Sequence, residues 1–151
     1  MSSSIQKVTL IGASGNLGPR ILHALQAADL TTTILTRPTS TSTFDASIKA
    51  LKASYSDLPA LKDAFAGQDA VVCAVGFEGY LDQLTLIDAA EAVGVKRFIL
   101  SEFENHPDQP CLPELKQMLE PKTRVLEHAK AKAEKNPQFS WSAVTCGPFF
   151  D

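Results

Sequence analysis

The sequence predicts a doubly wound, parallel α/β sheet of about six strands with helices between them. Three observations predict it. Strand-like and helix-like segments alternate along the 151 residues. A continuous apolar run of strand length, "DAVVCAVG", occupies residues 69–76. The stretch "LIGASGNLGPR", residues 10–20, sets glycines at 12, 15 and 18 between an apolar run and a helix-like one. Alternation implies parallel pairing, because parallel neighbours need a crossover and a helix supplies it. An unbroken apolar strand is what burial on both faces demands.

Each element follows in turn. Residues 5–11, "IQKVTLI", read as the first strand, and 17–28 as a helix with Ile21, Leu22, Leu25 and Ala28 on one stripe. Residues 31–36, "TTTILT", are β-branched and strand-like. The polar loop "RPTSTSTFD" follows, then a weaker strand at 47–54 and a short helix at 58–66 ended by Gly67. After the strand at 69–76, residues 80–93 form a helix closed by Gly94, and 95–100 form another strand. A Pro-rich loop, "SEFENHPDQPCLP", precedes a long helix from about Glu114 to Lys135, with an interruption or restart expected at Pro121. The last strand is 139–146. Six strands with these connections give the order 3-2-1-4-5-6, a Rossmann-like sheet in a single domain over residues 1–151.

Composition narrows the function classes. Hydrophobic residues are 44% and charged ones 21%, the balance of a soluble globular chain. A net charge of −3 gives no general attraction to nucleic acid or an anionic membrane. No apolar stretch approaches the roughly 20 residues that span a bilayer, and "MSSSIQK" lacks the apolar core of a signal peptide. Cys73, Cys111 and Cys146, like His23, His106 and His128, are too scattered for a metal site; reduced thiols in a cytoplasmic protein are expected. Cys146 reads as a lone buried thiol.

The glycine spacing has a physical purpose. A strand that turns directly into a helix gathers unpaired N–H groups at the sheet's carboxyl edge, where the helix dipole also favours an anion. Gly12 permits the tight turn, Gly15 lets backbone approach a pyrophosphate, and Gly18 lets the helix pack close to the sheet. Ser14, Asn16 and Leu17 lie in the same mouth and join the cofactor-binding set. Pro19 falls in the first helical turn, where its missing N–H costs little. At the end of the second strand, a carboxylate would select NAD. This chain has Arg37 there, with Thr39 and Ser40 behind it and no carboxylate before Asp45. A guanidinium suits a 2′-phosphate, so NADP(H) is the expected cofactor.

Topology adds further candidates, because ligands on such sheets sit beyond the strands' carboxyl ends. Gly76 and Phe77, Ser101 to Phe103, and Gly147 to Phe149 fall there. Gly76, Phe77 and Ser101 are taken as cofactor contacts. The Tyr-x-x-x-Lys pairing common among reductases is missing, since Tyr55 is followed four residues on by Pro59 and Tyr80 by Leu84.

"GASGNLG", the arginine after the second strand, "GVKRFILSEF" and the lysine-bearing helix that follows resemble the isoflavone reductase-like branch of the NmrA-like family. The resemblance runs along essentially the whole chain. It implies an atypical short-chain reductase that binds NADPH and transfers hydride to a small aromatic or enone-type substrate. Aligning "EPKTRVLEHA" with the family's helix carries the acid/base role onto Lys122. An ammonium there can stabilise or protonate the oxygen on which negative charge builds. Glu104 stands where the family pattern has glycine, and family members run to roughly twice this length. Two readings therefore stay open: a reductase, or a non-catalytic NADP(H)-binding regulatory or redox-sensing protein, including a truncated remnant of an enzyme. The adjacent Phe149 and Phe150 imply cover at that edge by further chain, a second copy or a partner.

Overall fold

The computed structural model describes residues 4–103 and 113–146. Its six strands are β1 (Lys7–Ile11), β2 (Thr31–Thr36), β3 (Lys49–Lys52), β4 (Ala70–Cys73), β5 (Arg97–Leu100) and β6 (Ser140–Ala143). They form one sheet in the order β3-β2-β1-β4-β5-β6, parallel throughout. The central strands carry the apolar sequence. All four residues of β4 are buried, as are Val8 to Ile11 of β1, whereas no residue of the edge strands β3 and β6 is fully buried.

Helix α1 (Gly18–Ala27) covers one face of the sheet, packing Ile21, Leu22 and Leu25 on Val8, Leu10, Ile34 and Val72. Helices α2 (Leu58–Phe65), α3 (Gln83–Ala92) and α4 (Pro113–Lys135) cover the other. Leu61 and Phe65 of α2, Leu86 and Ile87 of α3, and Val125 and Leu126 of α4 pack there against Ile11, Val71 and Phe98. The order in which successive strands are added reverses between β1, which pairs with β2 on one side, and β4 on the other. A crevice opens at such a switch point.

Several expected boundaries shift. The strand expected over 69–76 ends at Cys73, and the helix expected over 80–93 begins as a 3₁₀ helix, Phe77–Asp82, before becoming α3. Apolar sequence continues past Cys73, but Ala74 to Gly76 serve as loop. Ala28 is the exposed C-cap of α1 rather than part of its buried stripe. Pro121 neither interrupts nor restarts α4, which runs through it. Proline removes one backbone hydrogen bond, yet Lys122, Val125, Leu126 and Ala129 are all buried. That i, i+3, i+4, i+7 stripe is continuous packing that a single lost bond does not undo.

Candidate active site

The site begins at the turn from β1 into α1. Gly12 has φ +84°, and a Cβ there would meet the carbonyl of Ala74, with Ala74 C at 2.7 Å. Its own carbonyl accepts from Gly15 N at 3.0 Å. Gly18 is buried, and a Cβ on it would meet Gly12 O and come within 2.5 Å of Ala13 C. The close approach at Gly18 is therefore to the turn itself, whereas packing against the sheet was expected. Leu17 is the N-cap of α1, and no side chain caps the helix. Uncapped first-turn amides, with Ser14, Gly15 and Asn16 exposed beside them, form a cradle suited to a phosphate.

Two cavities meet over this turn. One, of about 580 Å³, runs from Gly12 to Gly15 past the end of β2, where Arg37, Thr39 and Ser40 line it. Ser40 N donates to Arg37 O at 3.0 Å and Lys52 Nζ donates to Ser40 O at 2.9 Å, which fixes the turn behind the guanidinium. Asp45 does not line it, while Asp82 and Glu78 do. The second cavity, about 370 Å³, is walled by Asn16, Leu17, Tyr80, Ser101, Glu102, Phe103 and Lys122. Gly15, Ala74, Val75, Gly76 and Phe77 line both, so the two form one cleft across the switch point. Phe77 stands on the shared wall, 61% exposed.

Of the residues singled out from the sequence, Gly12, Ser14, Gly15, Asn16, Leu17, Arg37, Gly76, Phe77, Ser101 and Lys122 all line this cleft; Gly18 lies beneath it. Ser101 Oγ donates to Val75 O at 2.7 Å and so ties the β5 exit to the β4 exit. Lys122 is 3% exposed. Its Nζ donates to Glu102 O at 3.2 Å, pairs with Glu102 Oε1 at 3.4 Å, and lies 5.3 Å from the centre of the Tyr80 ring.

Two residues of this cluster, Tyr80 and Gln83, had no role assigned from sequence, whereas Glu102 lies in the stretch from Ser101 to Phe103 that topology placed near the cofactor or substrate. Glu102, Tyr80 and Gln83 are all buried. Tyr80 Oη donates to Glu102 Oε2 at 2.7 Å; burial, and then that bond to an anion, raises the phenol's pKa. Gln83 is fully enclosed; its Nε2 donates to Tyr80 O at 3.2 Å and its Oε1 accepts from Ser101 N at 2.8 Å. One side chain thereby joins the 3₁₀ helix to the loop that carries Glu102. Glu102 is itself the acid of "SEF", and topology had placed it at the cleft; nothing local marked Gln83.

Cys146 is exposed, which corrects the buried thiol expected: β6 ends at Ala143, so residue 146 lies past the sheet edge, where Sγ donates to Phe103 O at 3.1 Å. Among the described residues the other thiol is Cys73, which burial pushes up to about 12; Cys111 lies outside the described residues. Gly147 to Phe149 and Phe150 lie outside the described residues. Among the described residues no group of His, Cys, Asp and Glu is placed to hold a metal, and no helix is long and apolar enough to cross a membrane.

Comparison with known proteins gives consistent relatives. The profile of the NmrA-like family matches residues 4–151. The oxidoreductase poxI of Penicillium oxalicum is 45% identical over 141 residues, covering 93% of this chain and 45% of that protein. The bifunctional pinoresinol-lariciresinol reductase 3 of Thuja plicata is 34% identical over 117 residues, covering 68% of this chain and 37% of that one. Among solved structures, the binary complex of leucoanthocyanidin reductase with NADPH from Vitis vinifera superposes with a TM-score of 0.78 at 28% identity, covering 93% of this chain and 49% of that one. The chain thus spans less than half the length of these relatives.

Proposed function

The chain belongs to the NmrA-like family, and from that membership we propose that it forms the cofactor-binding part of an NADPH-dependent reductase of the isoflavone reductase-like type. Its substrate is a small aromatic or enone-type molecule. The observation that carries this reading is the layout of the cleft, with Arg37 lining one side of the glycine turn and the buried Lys122 the other. That separation suits an extended dinucleotide whose phosphates lie on the turn between. Relatives named as oxidoreductases and pinoresinol-lariciresinol reductases support the same chemistry.

Amides of the turn between Gly12 and Gly18 other than Gly15 N, which is bonded to Gly12 O, take the pyrophosphate, and Arg37 with the hydroxyls of Thr39 and Ser40 takes the 2′-phosphate. Gly76, Phe77 and Ser101 line the path toward Lys122. Bound in this cleft, NADPH supplies a hydride. Lys122 supplies the proton for the oxygen on which negative charge develops, from a cavity wall where it is largely buried.

Titration of the purified chain with NADPH and NADH, followed by NADPH oxidation against a panel of enones and benzylic ethers, tests this. The expected result is tighter binding of NADPH, with turnover that Lys122→Ala abolishes while leaving NADPH affinity within about twofold. Failure to bind either nucleotide overturns the cofactor reading. Binding without turnover of any compound returns the chain to the non-catalytic, sensor-type reading.

A further inference from the structure

The carboxylate of Glu102 is 1% exposed, on the wall of the cleft that the phosphate turn does not occupy. Its two oxygens are treated differently. Oε2 accepts the Tyr80 hydroxyl at 2.7 Å. Oε1 has no hydrogen-bond partner among the described residues and faces Lys122 Nζ at 3.4 Å. A buried carboxylate persists only where donors and a counter-charge offset its lost hydration. Here one phenol and one ammonium do so, and they come from different elements: the 3₁₀ helix and α4.

We infer that Glu102 is a positioning residue for Lys122: braced by Tyr80, its carboxylate keeps Nζ charged and held at the cavity wall, so that Lys122 enters the reaction as a proton donor. This rests on the reductase reading of Lys122 given above. Lys122 gives one N–H proton to the substrate oxygen that the incoming hydride leaves negative. It keeps the N–H electron pair as a neutral amine and recovers a proton from water. Tyr80 keeps its proton, its pKa raised by burial and by the bond to Glu102. Among the described residues lining this end of the cleft, the titratable groups are Tyr80 from the 3₁₀ helix, Glu102 from the β5 exit and Lys122 from α4. Glu102 is the carboxylate that these residues set against the ammonium.

The test follows the amine directly and needs neither cofactor nor turnover. Trace acetylation by acetic anhydride, read lysine by lysine by peptide mass spectrometry across pH 6–11, gives the pH profile of Lys122 reactivity, with the exposed Lys7, Lys49 and Lys130 as internal standards. Glu102→Gln keeps the side chain's shape and removes its charge. In that variant the midpoint of the Lys122 profile falls by about one pH unit or more, a tenfold or greater rise in rate at fixed pH below the midpoint, while the standards do not move. A purely structural role would raise the rate at every pH with the midpoint unchanged, and that result overturns the inference, as does no change at all. Should Glu102→Gln fail to fold, Tyr80→Phe decides: a smaller fall in midpoint, about twofold to threefold in rate, supports the bracing role, and an unmoved midpoint sinks it. NADPH titration of the same samples keeps the two claims apart. Loss of binding in the wild-type chain would count against the cofactor reading and leave the labelling result interpretable.

Discussion

Arg37 is exposed at the end of β2, on a turn held by Ser40 and Lys52, so its guanidinium is available without cost to the core. Charge-assisted hydrogen bonds to a phosphate contribute about 1.5–3 kcal/mol. Arg37→Ala should therefore weaken NADPH binding by about tenfold to a hundredfold and leave NADH nearly untouched, as fluorescence titration of both nucleotides would reveal. An unchanged NADPH-to-NADH ratio would remove Arg37 from the site. At this scale the sequence was most informative where a residue type is dictated by backbone geometry. Gly12 is readable because its φ of +84° and its approach to Ala74 admit nothing larger. The cluster of Tyr80, Gln83, Glu102 and Lys122 was not readable in the same way. Its members come from three separate segments, and no spacing along the chain encodes a contact that only the sheet order creates. Lys122 itself was reached through family resemblance, since a lysine on a charged helix otherwise looks solvated.

Among the elements, Asp69 fastens three strands at their amino ends. Its Oδ2 accepts from Gln6 N at 3.0 Å and Lys7 N at 2.9 Å, its Oδ1 from Lys96 Nζ at 2.7 Å, and its carbonyl from Lys96 N. The Lys96 bond first, then the two backbone N–H groups, hold its carboxyl at about 2. Because that value lies below the unfolded one near 4, the stabilisation is fully present above pH 5 and is lost as pH falls from about 4 to 2. Asp69→Asn should cost about 1–2 kcal/mol at pH 6 and flatten the pH dependence below pH 4, read as urea midpoints at pH 6 and pH 3. Pro121 makes the opposite prediction. It sits inside α4 with no N–H to give, so Pro121→Ala should raise stability by about 1–3 kcal/mol in thermal unfolding. The existence and type of every regular strand and helix were legible from periodicity. Their ends were not, because apolar character runs on into loops such as 74–76, and because buried packing along α4 outweighs a local breaker.

For the molecule as a whole, the strand order was legible once alternation and the β1–α1 turn were recognised, since few right-handed topologies satisfy both. The sharing of helices, one on one face and three on the other, follows from the same handedness, since the β1–β2 crossover runs opposite to the later ones; the 3₁₀ start of the third helix was not legible. Nor was the cleft's depth, which the 3₁₀ helix and the loop after β2 create together. A ligand that binds only the folded chain stabilises it by mass action. NADPH at a hundred times its dissociation constant should add about 2.7 kcal/mol, seen as a rise in melting temperature that NADH at equal concentration does not match. The wedging of Gly12 against Ala74 carries a consequence for how that ligand arrives. The floor of the cleft is one backbone unit built from two strand exits, with no side chain between them that must rotate aside. The conformational entropy of shaping the mouth is spent when the sheet assembles, so a nucleotide meets a finished mould, and its affinity is set by how slowly it leaves rather than by how long the protein takes to receive it.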